Sequence, residues 1–224
     1  MSETLTRSIE DYLKAIFELT GNGEAASTTT LAARLGVAPA SITSMVQKLS
    51  TVKPALVSYR KYQGVSLTVA GRRAALDVIR RHRLLEAWLV QNLGYSWDMV
   101  HNEADMLEHV ISQDFEKRIA AALGQPERDP HGETIPDADL VMPLDKSFPL
   151  ASLKPGQKAT VRRVHSQEPA FLKHLTELGL TPGAHLKALS VSHFDQVMHL
   201  HIQGRKEESV LGPAITNGVF VEIS

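Results

Sequence analysis

Cysteine is absent from all 224 residues. That excludes disulfides and thiolate metal sites, so any metal must be held through nitrogen and oxygen. Long apolar runs are missing too. None approaches the roughly 18 residues of a membrane helix, and no membrane partner is expected. The opening Met1-Ser2-Glu3-Thr4 carries neither a basic region nor an apolar leader, so a cytoplasmic protein is expected. Acidic residues are lacking between Glu24 and Asp77, a stretch that holds Arg34, Lys48, Lys53, Arg60, Lys61, Arg72 and Arg73. From Glu86 to Asp145 the balance inverts, and Lys117, Arg118 and Arg128 are the only bases. A net charge of -1 hides this segregation. One part suits a polyanion and another suits cations. What remains is an ordinary soluble composition, 43% hydrophobic and 22% charged, long enough for one large or two small domains.

Ile9, Tyr12, Leu13, Ile16, Phe17 and Thr20 follow the helical period and predict an amphipathic helix near 7–20, ended by Gly21-Asn22-Gly23. Thr28-Thr29-Thr30 offers caps for a short helix, Leu31 to Leu35, closed by Gly36. A tight turn to Pro39 leads into a second helix through about Leu49, where proline suits the first helical position. Two alternating runs, 56–59 and 65–68, predict a hairpin. Thr68 can cap a helix holding Arg72, Ile79, His82 and Glu86 that continues to about 93; helices near 98–112 and 113–123 follow. Gly124 to Pro149 contains Pro126, Pro130, Pro136, Pro143 and Pro149 and reads as a linker or irregular crossing. Strand-like runs at 158–164, 185–189, 197–202 and 219–223, with a helix at 169–178, predict a small β-barrel.

Helix, tight turn, helix and hairpin is the order of a winged helix-turn-helix. Ile42, Met45, Val46 and Leu49 would face its core. Pro39, Ala40, Ser41, Thr43, Ser44, Gln47 and Lys48 would face double-stranded DNA, with Lys48, Arg60 and Lys61 against phosphate.

Chemistry-bearing side chains concentrate further on. His101, Asp105 and Glu108 have i, i+4, i+7 spacing, and His109 sits one step round. His82 and Glu86 repeat the i, i+4 spacing upstream, and His101 can join them. Asp105, Glu108 and His109 form a second set, to which Asp11 can add a carboxylate from the first helix. Imidazole and carboxylate without sulfur favour Mn2+, Fe2+, Co2+ or Zn2+.

With these residues in view, the chain resembles the diphtheria-toxin-repressor family of metal-dependent transcriptional repressors. The resemblance rests on Ser8-Ile9-Glu10-Asp11-Tyr12-Leu13, the 37–49 segment, Leu67-Thr68-x-x-Gly71-Arg72, Arg81-His82-Arg83-Leu84-Leu85-Glu86, Val100-His101-x-Glu103-Ala104-x-x-x-Glu108-His109 and Asp129-Pro130-His131-Gly132-x-x-Ile135-Pro136. The barrel, with Leu153-Lys154-Pro155-Gly156 and Leu178-Gly179-Leu180-x-Pro182-Gly183 as turns, resembles the SH3-like domain of the longer members. The resemblance implies a mainly α chain with small β parts: a winged helix-turn-helix at 1–73, a helical metal-binding and dimerisation domain at 74–140, a linker at 141–150 and an SH3-like domain at 151–224. It implies a primary site of Asp11, Asp105, Glu108 and His109 and an ancillary site of His82, Glu86 and His101, with Gln167 or Glu168 added from the third domain. It further implies a homodimer on a palindromic operator. Apolar faces such as Leu84, Leu85, Trp88, Leu89, Val110 and Ile111 are available for the dimer.

Departures from the family bear on the metal. The iron branch has methionine where Asp11 stands and cysteine where Asp105 stands; harder oxygen donors tilt the choice toward Mn2+, with Fe2+ the alternative. Co2+, Zn2+ and Cd2+ are further ions for binding in vitro. Short manganese regulators carry glutamate at positions 105 and 14. This chain has Asp105 and Lys14, and an ammonium cannot ligate. Two rival readings are a di-iron or di-manganese enzyme and a metal-independent winged-helix regulator. The first lacks the symmetric Glu-x-x-His pairs such centres use, so an enzyme is not expected.

Overall fold

The computed structural model describes residues 5–21 and 24–223, so Asn22 and Gly23, assigned above to the end of the first helix, lie outside the described residues. Two compact units form. The first holds the described residues up to His82 together with Glu108–Ile111 and Pro136–Met142. The second holds Arg83–Leu107, Ser112–Ile135 and the described residues from Pro143 on.

The first unit is a winged helix-turn-helix. Helix α1 (Arg7–Leu19) buries Tyr12, Leu13, Ala15 and Ile16, as its periodicity predicts. Helix α2 (Thr28–Leu35) is capped by Ser27, whose hydroxyl accepts from the Thr30 N–H at 3.0 Å, one residue earlier than the threonine run suggested. Gly36, in the left-handed region at φ 65°, ends α2 and opens the turn. Helix α3 (Pro39–Thr51) starts on its proline and buries Ile42, Val46 and Leu49. The wing pairs β1 (Val57–Arg60) with β2 (Gly64–Leu67), antiparallel. Thr68 then caps α4 (Val69–Leu93) by accepting from Gly71 N–H at 3.1 Å. Gly71 passes so close to the wing that a Cβ there would lie 1.8 Å from the Leu56 carbonyl oxygen, so any side chain would push the hairpin off the helix.

The second unit holds α5 (Val100–Leu107), α6 (Gln113–Ala122), an irregular segment and a β-barrel. The barrel sheet runs β3-β8-β4-β5-β6-β7, antiparallel throughout, from β3 (Phe148–Pro149), β4 (Lys158–Val164), β5 (His185–Val191), β6 (Met198–Ile202), β7 (Ser209–Leu211) and β8 (Val219–Ile223). Helix α7 (Pro169–Leu178) and the short α8 (Pro213–Thr216) pack on it. Inward residues alternate along the strands, as in Ala159, Val161 and Val164 or Met198, Leu200 and Ile202, and they meet Leu172 and Leu175 of α7. Trp97 also packs here, its indole N–H donating to the Thr176 hydroxyl at 2.9 Å.

Two sequence expectations are corrected. Helix α5 ends at Leu107, so Glu108 and His109 lie in a turn and not on the helix of His101 and Asp105. The Glu108 carbonyl accepts from Arg81 Nη1 at 2.5 Å, a tertiary bond that takes up an acceptor at the helix end. Leu84, Leu85 and Leu89 are spent in the chain's own core at 0–2% exposure, whereas Val110 remains 74% exposed. Among the described residues, no helix is long and apolar enough to cross a membrane.

Candidate metal centre

In the first unit, Asp11 of α1 meets Glu108 and His109 of the turn after α5. One donor atom from each lies within 4.8 Å of the others. His109 Nε2 is 3.0 Å from Asp11 Oδ1 and 3.4 Å from Glu108 Oε1. The other ring nitrogen, Nδ1, donates to Glu10 Oε2 at 2.6 Å, and Glu10 is held in turn by Arg81 at 2.8 Å. A carboxylate on Nδ1 fixes the orientation of the ring, so Nε2 faces two more carboxylates. Two carboxylates and an imidazole nitrogen gathered in this way can hold a cation. The sulfur-free donor set suits a divalent ion of the Mn2+ to Zn2+ series. Glu108 is 1% exposed, and although burial opposes ionisation, hydrogen bonding and charge from His82 and Lys14 hold its carboxyl below the usual range. Burial raises Asp11, against the pull of His109.

His82 was expected with Glu86 and His101. Its Nδ1 lies 2.5 Å from Glu108 Oε2 and 3.1 Å from Lys14 Nζ, so this nitrogen belongs to the Glu108 cluster. Glu86 sits one turn further along α4.

The second unit gathers the remaining donors. Glu86 Oε1 is 3.1 Å from His101 Nδ1, and His101 Nε2 is 3.4 Å from Asp105 Oδ2. Glu86 also meets two residues that were quoted for their family likeness but assigned no role, Asp129 and His131. Donor atoms of Glu86, Asp129 and His131 lie within 4.8 Å of one another, and all three residues are buried. His131 Nε2 donates to the Trp97 carbonyl at 2.7 Å, which leaves Nδ1 facing Glu86 Oε2 at 3.5 Å and Asp129 Oδ1 at 4.0 Å. This repeats the logic at His109: one ring nitrogen is anchored and the other is offered to carboxylates. Burial works against protonation of His131, but the facing Glu86 and Asp129 prevail and lift it to about 9. Burial and the Glu86 charge push Asp129 to about 7. Spacing could not reveal this group, because Asp129 and His131 lie in an irregular segment; the only signal was an Asp-x-His pair between prolines. Gln167 and Glu168 are exposed ahead of α7, and Glu168 belongs to none of the four donor groups found among the described residues.

The His131 segment is fastened to β4. His131 C=O accepts from Val164 N–H at 2.9 Å, and a Cβ on Gly132 would lie 1.9 Å from the Arg162 carbonyl oxygen. Beside it, Glu133 accepts from Arg163 at 3.0 Å and faces Arg83 at 3.4 Å. Burial opposes its ionisation, but His165 and the two arginines draw Glu133 down to about 2. A depressed carboxyl adds stability above its unfolded value near 4.5 that is lost as pH falls through about 2. Chemical denaturation of the metal-free protein between pH 2.5 and 6 is expected to show a shallower acid limb for Glu133→Gln, with about 2 kcal/mol lost at pH 6. Equal pH profiles for the two proteins would refute this assignment.

On α3, Pro39, Ala40, Ser41, Ser44, Gln47 and Lys48 are exposed and Thr43 is half-buried; Arg60 and Lys61 are exposed on the wing. An open groove lined by Tyr12, Ala40, Ser41, Ser44, Met45 and Lys48 runs beside α3.

Three family models match the chain: the iron dependent repressor N-terminal DNA binding domain over 4–65, the iron dependent repressor metal binding and dimerisation domain over 68–137, and the FeoA domain over 148–223. The iron-dependent repressor IdeR of Mycobacterium leprae is 33% identical over 132 residues, 59% of this chain and 56% of its own. The chain thus spans about half the length of such relatives. The HTH-type transcriptional regulator MntR of Lysinibacillus sphaericus is 34% identical over 125 residues, 56% of this chain and 88% of that protein. A solved manganese-dependent transcriptional repressor complex with manganese superposes with a TM-score of 0.86 at 36% identity, covering 96% of this chain and 100% of that one. The chain belongs to the diphtheria-toxin-repressor family of metal-dependent transcriptional regulators, in its long form with a C-terminal SH3-like domain.

Proposed function

We propose that this chain is a metal-dependent DNA-binding repressor of metal-ion homeostasis, responsive to Mn2+. The observation that carries the reading is the convergence of Asp11 with Glu108 and His109, where the first helix of the DNA-binding fold meets the turn after α5 through nitrogen and oxygen donors alone. Asp105 completes this primary site. The ancillary site takes Glu86 and His101 with His82, and Asp129 and His131 supply donors on the far side of Glu86. When bound, the ion supplies positive charge that neutralises these facing carboxylates. Glu10 orients His109, and Arg81 holds both Glu10 and the Glu108 carbonyl. The winged helix at 1–73 is tied in this way to the dimerisation helices at 74–140, and the homodimer then presents two α3 helices to half-sites of a palindromic operator. Exposed Lys48, Arg60 and Lys61 take phosphate; Ser41, Ser44 and Gln47 reach base edges. Residues 141–150 link to the SH3-like domain. The chain acts in the cytoplasm and carries out no catalysis.

Fe2+ is the second reading, favoured by the iron-dependent name of the mycobacterial relatives. Hard oxygen at Asp11 and Asp105 favours Mn2+ instead. Mobility shifts of the full chain across Mn2+, Fe2+, Co2+, Zn2+ and Cd2+ are expected to show salt-sensitive duplex binding, with Mn2+ the most selective activator and Asp105→Cys moving the preference toward Fe2+. Lys48→Ala should weaken binding to all sequences alike and reduce the salt slope by about 1. A chain that shows no metal-stimulated, salt-sensitive binding under any of these ions would end the proposal.

A further inference from the structure

The open groove beside α3 is lined by Tyr12 of α1 and by Ala40, Ser41, Ser44, Met45 and Lys48. Ala40 and Met45 are its apolar part; Tyr12, Ser41 and Ser44 bring hydroxyls and Lys48 an ammonium. No carboxylate lines it, and the chain from 25 to 76 has none. Tyr12 is 6% exposed, and its ring belongs to the core with Leu13, Ile42 and Val46. Its hydroxyl makes no hydrogen bond among the described residues, yet it is not sealed off as an unsatisfied buried atom. The core thus fixes the ring and leaves the O–H open to the groove. A phenol held in this way, without a partner in the described chain, is placed to donate to whatever enters.

We propose that this groove is a phosphate seat, in which the Tyr12 hydroxyl and the Lys48 ammonium hold one backbone phosphate of each operator half-site. The inference rests on the reading of this chain as a DNA-binding repressor. The occupant follows from the chemistry of the lining. Both groups donate hydrogen bonds, and the non-bridging oxygens of a phosphodiester only accept them. With the exposed face of α3 turned to base edges, residues on its flank meet the sugar-phosphate backbone, and Ala40 and Met45 suit the apolar side of a deoxyribose. Tyr12 follows Asp11 in α1, so the helix that offers a carboxylate to the metal also carries a donor to the DNA. An ion held at Asp11 thus restrains the reach of the Tyr12 hydroxyl directly.

The probe is a duplex selected from random sequence by the Mn2+-loaded wild-type chain. Wild type, Tyr12→Phe and Lys48→Ala are compared on it across a salt series, with circular dichroism melts and Mn2+ calorimetry to establish that each is folded and loaded. Tyr12→Phe keeps the ring and removes one donor. It is expected to bind Mn2+ as wild type does and to lose about tenfold in duplex affinity. Its salt slope should be unchanged, because a neutral hydroxyl displaces no counter-ion, whereas Lys48→Ala should lower the slope. A set of duplexes, each with one methylphosphonate in place of a phosphate, then locates the contact. At one position per half-site the loss caused by Tyr12→Phe should shrink to about twofold or less, the sign of a shared contact. Wild-type duplex affinity in folded, loaded Tyr12→Phe, a loss that persists at every methylphosphonate position, or an unchanged slope in Lys48→Ala overturns the proposal. So does a loss of Mn2+ affinity in Tyr12→Phe, which would give the hydroxyl to the metal centre. If Mn2+-loaded wild type selects no duplex at all, the DNA-binding reading itself fails, and the phosphate seat with it.

Discussion

Glu108→Gln is expected to lower Mn2+ affinity at the primary site by about 100-fold or more and to remove metal-stimulated operator binding. The substitution keeps the shape of the side chain and removes only its charge. Glu108 meets three other side chains of the cluster: His109 at 3.4 Å, His82 at 2.5 Å and Lys14 at 2.9 Å. Loss of its charge removes a close counter-ion from the almost buried Lys14 ammonium. Removing one partner of a buried pair costs about 3 kcal/mol, so the metal-free variant should also unfold at lower denaturant. The two effects separate in the double variant Lys14→Met/Glu108→Gln, which should regain much of the stability and none of the metal binding. Mn2+ titration is the deciding measurement. An affinity within a few-fold of wild type would mean that Glu108 serves the fold alone.

Glu86→Gln is expected to lower the Mn2+ count by one ion per chain while leaving the ion at Asp11, Glu108 and His109 in place. Glu86 is 1% exposed and lies between two imidazoles, His101 on one oxygen and His131 on the other. The same change should release His131. With the Glu86 carboxylate gone, the strongest support for its proton is lost, and its titration should fall from about 9 toward the ordinary imidazole range. Nuclear magnetic resonance of the imidazole in the metal-free protein reads this directly. The sign for wild type follows: a proton held up to about pH 9 must leave before Nδ1 can ligate, so the second ion should bind more tightly as pH rises toward that value. An unchanged metal count in Glu86→Gln would leave Glu86, Asp129 and His131 as a salt-bridge cluster around a protonated imidazole.

Much of this molecule was readable in its local pattern. Apolar period, a proline at the start of α3 and Gly36 at the end of α2 define the helix-turn-helix, because each acts within a few residues of itself. Alternation did the same for the long barrel strands, but it missed β3 and β7, which at two and three residues are too short to show a period. Absence of cysteine restricted every candidate metal site to nitrogen and oxygen, and the acid-free stretch from 25 to 76 marked the DNA-binding part.

Side-chain partnership was decided elsewhere. Helical spacing placed His101, Asp105 and Glu108 on one face, yet the helix stops at Leu107 and the Glu108 carbonyl goes to Arg81, 27 residues away in sequence. His82 was matched to Glu86 by its i, i+4 spacing, which could not show that its Nδ1 also meets Glu108 and Lys14. Asp129 and His131 sit in a segment with no period at all, held in place by Trp97 and β4. Local sequence thus determined which donors exist and which elements carry them. Tertiary structure decided which donors meet, since an imidazole is aimed by whatever anchors its other nitrogen, and at His109 and His131 those anchors, Glu10 and the Trp97 carbonyl, come from distant parts of the chain.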